Sequence, residues 1–287
     1  MRGVYTTGVL DFFMEKDLWF KECYAVSAGA GHACSYLARQ KGRALSVNID
    51  YLNDKRYAGI YSFLKTGDLF GMDFIYNEIP QKLYPIDYQA FRRNPSVLYA
   101  VVTNCKTGQA EYIPIKDLAK DMIYVRASGS LPMLSHIVKV DGKEYLDGGV
   151  ADSIPIKRSV ENGNCKNVLV LTQCKTYRKE KSRHLRLIRH KYRVYPKLVA
   201  QIESRHVRYN ETLAYIEQLE ESGQAVVIRP QKPVEVARTE KNRQKLLQLY
   251  HDGYCDAQQQ YKKVMDFLCR RSKNRRGTRG KTIPGRH

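Results

Sequence analysis

Residues 22–31 read ECYAVSAGAG, and this stretch is the strongest indication of the fold. The first five residues have the length and the apolar character of a short buried strand. Ser27 follows at once, and small apolar side chains then recur at helical spacing as far as about Arg39. A strand that turns directly into a helix of small residues is typical of a sheet with a helix packed closely against it.

The remaining sequence alternates between helical and strand patterns. A helical pattern precedes this stretch at 4–18, and residues 45–95 predict short helices and loops that cover a site. Strands are predicted at 22–26, 97–103, 109–113, 137–140, 144–146, 167–172 and 226–228, and further helices at 117–127, from 196 onward and at 240–269. Gly253 is a potential break in the last helix. The alternation predicts an α/β protein built on a layered sheet.

Composition divides the chain into four parts. Residues 1–173 carry the alternating strands and helices, 174–195 form a basic linker, and 196–269 are predicted to be a mostly helical C-terminal region. Residues 270–287 hold eight basic and no acidic residues, which predicts a disordered basic tail.

The overall composition excludes several classes of protein. With 287 residues, 43% of them apolar, the chain is long enough to bury a core. The longest purely apolar run, Val97–Val102, is far too short to span a bilayer, and no signal-peptide pattern begins the sequence. The seven cysteines form no C-x-x-C pair, which argues against a disulfide framework or a zinc site. We therefore expect a cytoplasmic protein without a metal site.

The net charge of +20 is concentrated in two segments, residues 175–208 and the tail. Residues 175–208 contain twelve basic and two acidic residues, with apolar and aromatic side chains between them. A solvated loop is the commonest interpretation of such a segment. The second is contact with an anionic membrane surface, which would place the protein at the inner membrane face. Binding to nucleic acid is the third and least expected interpretation.

Ser27 is the first candidate catalytic residue. A serine at a sharp strand-to-helix turn exposes its Oγ at the carboxyl edge of a sheet, where free helical N–H groups can stabilise an oxyanion. The usual pattern at such a turn is G-x-S-x-G, and Ala25 stands here in the place of the first glycine. A plain packing motif of small residues is the alternative interpretation.

Asp147 is the second candidate, because Asp147-Gly148-Gly149 directly follows a predicted strand. Two glycines allow a tight backbone bend that would hold a carboxylate at the end of the strand. An ordinary turn after a hairpin is the alternative interpretation.

The histidines offer a different catalytic arrangement. His32 lies five residues after Ser27 on the same predicted helix, about 140° around its axis, and cannot readily reach back to the serine. His136 precedes the strand of Asp147 and could approach the site. No histidine is spaced with a carboxylate as metal ligands usually are.

Four motifs together resemble the patatin-like phospholipases. In order, they are Arg2-Gly3 before the first helix, Ser-Ala-Gly at 27–29, RASGSLP at 126–132, and Asp-Gly-Gly at 147–149 leading to Ile-Pro at 154–155. The resemblance covers residues 1–162. Residues 233–268 also resemble the small C-terminal region found in a bacterial branch of the family.

The resemblance implies a three-layer α/β/α sheet and a serine acyl-ester hydrolase that acts on phospholipids, lysophospholipids or small acyl esters. By this resemblance Ser27 would be the nucleophile and Asp147 the general base of a Ser-Asp dyad. Such a dyad forms an acyl-enzyme and needs no cofactor. The motif residues that would build the oxyanion site and the dyad turn are Arg2, Gly3, Ala28, Gly29, Gly148 and Gly149.

One family feature is incomplete in this sequence. The family's glycine loop reads G-G-G-x-R-G after a first strand, and only Arg2 and Gly3 correspond to it here. If the chain starts at Met1, we expect an unpaired sheet edge and activity lower by roughly 10²-fold, because oxyanion donors are lost. The alternative function is a catalytically weak or silent protein of the same fold that associates with membranes or nucleic acid.

Overall fold

The computed structural model describes residues 1–270. The predicted disordered tail, 270–287, therefore lies outside the described residues except for Arg270. Within the described part, no helix combines the length and the apolar character needed to cross a membrane.

The predicted helices and strands are found close to their expected positions. The strands are β1 Glu22–Val26, β2 Val97–Asn104, β3 Ala110–Ile115, β4 Val138–Val140, β5 Lys143–Asp147, β6 Asn167–Val170 and β7 Ala225–Ile228. The α-helices are α1 Val4–Glu15, α2 Ala28–Leu37, α3 Arg43–Ile49, α4 Ile60–Thr66, α5 Tyr88–Arg93, α6 Leu118–Ser128, α7 Ile156–Glu161, α8 Leu185–Lys191, α9 Pro196–Glu221 and α10 Arg243–Cys269. A π-helical segment spans Phe74–Leu83 and a 3-10 turn spans Gly148–Val150.

β2 organises the main sheet. β3 pairs antiparallel with one edge of β2 along Leu98–Thr103. β1 pairs parallel with residues 97–101, and β5 pairs antiparallel with residues 102–104. Because a strand has only two edges, β1 and β5 share the second edge of β2 and meet there end to end. β4 completes the sheet through a tight hairpin with β5.

Helices cover both faces of this sheet. Successive residues of a strand point to opposite faces. Tyr145 of β5 packs in a buried cluster with Ala127 of α6, whereas its neighbour Leu146 packs in another cluster with residues of α8 and α9. The α/β/α arrangement is therefore confirmed.

The C-terminal region is joined to the rest of the fold by a second, two-stranded sheet. β6 pairs parallel with β7, so a strand from residues 1–173 pairs with a strand from residues 196–269. In residues 1–270, β1 has a partner strand on one side only, and all five of its residues are half-buried.

A close crossing of α1 and α10 also joins the two regions. A Cβ at Gly8 would lie 2.0 Å from the Tyr250 carbonyl oxygen, and one at Gly253 would lie 2.1 Å from the Tyr5 carbonyl oxygen. Near this crossing the Tyr5 hydroxyl donates a hydrogen bond to Asp256 of α10 at 2.7 Å. The predicted break at Gly253 is wrong, because α10 continues through it and the glycine serves the helix contact instead.

This contact makes Gly253 a sensitive position. Gly253→Ala should lower the free energy of unfolding by roughly 1–3 kcal/mol, because the added methyl group forces the two helices apart. Gly31→Ala is the matched control, since nothing lies within 4 Å of its Cβ position in α2. There alanine should preserve or raise stability. Urea denaturation measures both, and equal effects of the two substitutions would contradict the crossing.

Candidate active site

Ser27 occupies the junction between β1 and α2 in an unusual backbone conformation. Its φ of 57° and ψ of −130° lie outside the regions that non-glycine residues normally adopt. Such strain costs about 1–3 kcal/mol and is concentrated at functional sites, including the nucleophile turn of serine hydrolases. Ala25, in the place of the usual glycine, remains a regular strand residue in register with Ala100. The turn therefore forms without that glycine.

Asp147 ends β5 at the same place on the sheet. The register of β1 ends with Val26 opposite Val101, and Asp147 lies opposite Val102. Since β1 and β5 share one edge of β2, the carboxyl ends of both strands converge there. Neighbouring residues of β2 thus bring together two positions that are far apart in the sequence.

The segment at 126–132, which contains the end of α6, connects the two candidate residues. The Ser128 hydroxyl accepts a hydrogen bond from the Ser27 amide at 2.9 Å. Two residues later, the Ser130 carbonyl accepts one from the Asp147 amide at 2.8 Å. Both serines are almost fully buried. One short segment therefore holds the backbones of Ser27 and Asp147 relative to each other.

The Asp147 carboxyl group is buried and only partly satisfied. Oδ1 accepts a hydrogen bond from the Gly149 amide at 2.7 Å, whereas Oδ2 has no hydrogen-bond partner in residues 1–270. The Ser27 hydroxyl lies close enough to lower the pKa of this carboxyl, but no hydrogen bond of standard geometry joins them. Burial has the largest effect, and the net result is a raised pKa, against the opposing influence of Arg205.

Both glycines after Asp147 have close neighbours. A Cβ at Gly148 would lie 2.1 Å from the Val101 carbonyl oxygen. A Cβ at Gly149 would lie 2.9 Å from Arg205 Nη2 and 3.0 Å from Asp147 Oδ1. The Asp-Gly-Gly sequence therefore lets the carboxylate and the α9 guanidinium approach the same point.

The Arg2-Gly3 segment contacts the beginning of α2. A Cβ at Gly3 would lie 3.1 Å from the Ala28 Cβ and 2.8 Å from His32 Nε2. The amides of Gly3, Ala28 and Gly29 donate no hydrogen bond within residues 1–270. Unpaired N–H groups of this kind are available to stabilise negative charge on a ligand oxygen.

Within residues 1–270, neither candidate histidine forms a hydrogen bond with the Ser27 or Asp147 side chain. Burial lowers the pKa of His32 to about 4, and its Nε2 has no hydrogen-bond partner in the described part of the chain. His136 lies beside Asp68, with 3.2 Å between Nδ1 and Oδ1. The sequence-based expectation that His32 cannot reach Ser27 agrees with this arrangement.

An apolar cavity of about 240 Å³ opens beside Ser27. Residues from the segment 45–95, which the sequence predicts to cover a site, form much of its wall. They include Val47, Tyr57, Phe70, Met72, Ile75, Tyr76 and Ile79. The N-terminal residues Arg2 and Gly3 also line it, and so does Arg238, which precedes α10.

The comparisons identify the family. The model of the patatin-like phospholipases matches residues 1–158, more than half of the chain. The protein belongs to the patatin-like phospholipase family. Residues 195–269 match a domain of unknown function, DUF6363. The chain is also 28% identical over 176 residues to the uncharacterized protein YjjU of Escherichia coli strain K12. That match covers 60% of this chain and 49% of YjjU.

Sequence reasoning missed four residues that contact or surround this site. Ser128 and Ser130 lie in a motif that the sequence analysis recognised, but their roles depend on backbone hydrogen bonds that no pattern reveals. Arg205 and Arg238 lie in the C-terminal region, where many similar basic residues surround them in the sequence. The packing of α9 places Arg205 beside Gly149, and the packing of the segment before α10 places Arg238 in the cavity wall.

The raised pKa of Asp147 predicts how stability depends on pH. Between the ordinary aspartate pKa of about 4 and the raised value, the folded protein holds a proton that the unfolded chain has lost. The free energy of unfolding therefore falls as the pH rises through this window, and Asp147→Asn removes that contribution.

Urea denaturation from about pH 4 to neutrality measures the effect. Relative to Asp147→Asn, the unsubstituted protein should lose stability as the pH rises above about 4. A relative stability that increased over this range would show that the pKa is not raised.

Proposed function

We propose that this member of the family is a serine acyl-ester hydrolase that uses Ser27 as nucleophile and Asp147 as general base. The observation that carries the proposal is a strained serine beside a buried carboxylate with an unpartnered oxygen. Membership of the family supports a lipid hydrolase.

The first half of the reaction follows from these positions. Ser27 Oγ attacks the carbonyl carbon of an ester while Asp147 Oδ2 takes the hydroxyl proton. The unpaired amides of Gly3, Ala28 and Gly29 stabilise the oxyanion of the tetrahedral intermediate. When the intermediate collapses, the bond to the alcohol breaks, the proton passes to the leaving alkoxide, and the acyl group stays on Ser27.

Water completes the cycle. Asp147 removes a proton from a water molecule, which attacks the acyl-serine carbonyl and forms a second tetrahedral intermediate. Its collapse releases the fatty acid and returns the proton to Ser27 Oγ. A raised pKa suits Asp147 to this work, because a base whose pKa lies nearer the working pH takes up a hydroxyl proton more readily.

The cavity indicates where the acyl chain binds. Its wall is mostly apolar and begins at the Ser27 turn, so a fatty acyl chain placed there would bring its ester carbonyl to the nucleophile. We therefore propose lipid esters, of the phospholipid or lysophospholipid type, as substrates.

Turnover of a short-chain p-nitrophenyl ester tests the dyad. Ser27→Ala and Asp147→Asn should each lower kcat/KM by about four orders of magnitude or more, as expected when a nucleophile or its base is removed. Ser222→Ala, at an exposed position after α9, is the matched control and should keep full activity.

A serine-reactive fluorophosphonate provides an independent readout. It should label the unsubstituted protein at Ser27, as identified by peptide mass spectrometry. If both dyad variants keep the turnover of the control, the proposal fails. If the unsubstituted protein shows neither turnover nor labelling, the silent protein of the same fold is the better description.

A further inference from the structure

Four basic residues from separate parts of the chain surround the candidate active site. Arg2 precedes α1, Lys179 lies between β6 and α8, Arg205 lies on α9, and Arg238 lies between β7 and α10. We call them the cation cluster. Three of the four come from residues 175 onward, outside the part that matches the patatin model.

Specific contacts hold the cluster in place. Arg208 of α9 donates a hydrogen bond to the Val150 carbonyl at 2.9 Å, which fixes the helix beside the turn that follows Asp147. Arg205, about one turn earlier, therefore faces Gly149. The Asn210 side chain of the same helix bonds the backbone of Lys179 twice, at 2.8 and 3.1 Å.

The positive charge of the cluster is not neutralised by ordinary ion pairs. In residues 1–270 no carboxylate oxygen lies within 4.0 Å of any of the four cationic groups. Other cations of the basic segment are paired, such as Arg189 with Glu203 at 2.5 Å and Arg178 with Glu217 at 3.5 Å.

The members of the cluster repel one another across the site. Burial, together with the smaller effects of the charges of Arg205, Arg2 and Arg238, lowers the pKa of Lys179 to about 8. Asp147 has the opposite effect, but its own pKa is raised, so its countercharge is weakened. An anionic ligand would relieve this repulsion.

The position of the cluster along the cavity indicates which part of an ester substrate would carry the anionic group. Arg2 and Arg238 line the same cavity as Ser27, and Arg205 lies beside Asp147. We propose that the cation cluster is a subsite for a phosphate-class anion attached to the alcohol part of the substrate, so that the protein prefers acyl glycerophosphates to neutral acyl esters. This inference rests on the proposed hydrolase function, and it assigns a role to residues within the domain of unknown function.

Binding to the Ser27→Ala variant tests the subsite without requiring turnover. Isothermal titration should show that 1-octanoylglycerol 3-phosphate binds at least about tenfold more tightly than 1-octanoylglycerol, as expected from charged hydrogen bonds to phosphate. Adding Arg205→Gln or Arg238→Gln should remove most of this preference. Arg205→Lys, which keeps the charge, should retain part of it.

Arg186→Gln is the matched control, because Arg186 is an exposed cation of α8 that does not line the cavity. An unchanged preference in both the Arg205 and Arg238 variants would overturn the subsite. Inorganic phosphate that bound as tightly as the acyl glycerophosphate would also overturn it, in favour of a free-phosphate site. Failure of the hydrolase proposal would appear separately, as turnover that survives Ser27→Ala.

A second surface carries an independent inference. The helix α4 exposes four large apolar side chains, with exposed fractions of 77% for Ile60, 48% for Tyr61, 41% for Phe63 and 80% for Leu64. Among its residues the small polar Ser62 is buried instead, and it donates a hydrogen bond to the Asp68 carbonyl. The apolar face of α4 therefore points to solvent, the reverse of an ordinary surface helix.

The surroundings of this apolar face fit a lipid surface. Lys55 and Lys65 both lie beside Tyr61, each with its ammonium 5.9 Å from the centre of the ring. The residues before and after α4 are joined by a hydrogen bond from the Gly71 amide to the Tyr57 carbonyl. Tyr57 also lines the cavity, so α4 lies close to it. We infer that the apolar face of α4 docks on a bilayer of anionic lipids, with the cavity beside it.

Sedimentation with vesicles tests this docking in the full chain. The protein should bind phosphatidylglycerol vesicles more strongly than phosphatidylcholine vesicles, and Ile60→Ser combined with Leu64→Ser should reduce binding at least about tenfold. Leu187→Ser combined with Val194→Ser, two exposed apolar residues of the basic segment 175–208, is the matched control.

Loss of binding in the control pair alone would overturn the inference and assign the membrane surface to 175–208. If gel filtration shows a dimer that only the α4 variant dissociates, a second copy of the chain covers this face, and the inference fails.

Discussion

The shared edge of β2 is the constraint on which the site depends. β1 and β5 approach that edge from opposite directions and end beside Val101 and Val102. The hydrogen bonds from the Ser27 amide to the Ser128 hydroxyl and from the Asp147 amide to the Ser130 carbonyl then link the ends of both strands to the segment 126–132. A shift of either strand by one residue would turn its side chains to the other face and separate the candidate dyad.

The structure makes the C-terminal region part of the candidate site as well as of the core. The parallel pairing of β6 with β7 and the glycine crossing of α1 with α10 hold that region against residues 1–173. In this position α9 presents Arg205 beside Gly149. The patatin match ends at residue 158, yet cations beyond it contribute to the electrostatics around Asp147.

Two energetically unfavourable features coincide at this point. The backbone of Ser27 is strained, and the carboxyl group of Asp147 is desolvated with one oxygen unpaired. The surrounding structure must hold both in place. Without that support the Ser27 backbone would relax to an ordinary conformation, and burial favours the protonated form of Asp147. Three glycine contacts with backbone carbonyls, at Gly8, Gly148 and Gly253, show how tightly the supporting backbone is packed.

The sequence alone determined the order of the strands and the longer helices, the α/β class, the family, and the two residues proposed to react. These depend on local patterns, namely hydrophobic periodicity, the Ser-x-Gly junction and the Asp-Gly-Gly turn, which are readable along the chain. The sequence did not predict the short helices α7 and α8. It misjudged Gly253 as a break, because the need for a glycine there comes from the carbonyl of Tyr5 on another helix. It also treated the basic segment as one surface. Only the tertiary structure decided that Arg205 lies beside Gly149 and that Arg238 lines the cavity, while Arg189 and Arg178 pair with glutamates. The role of a cation depends on neighbours that are distant in sequence.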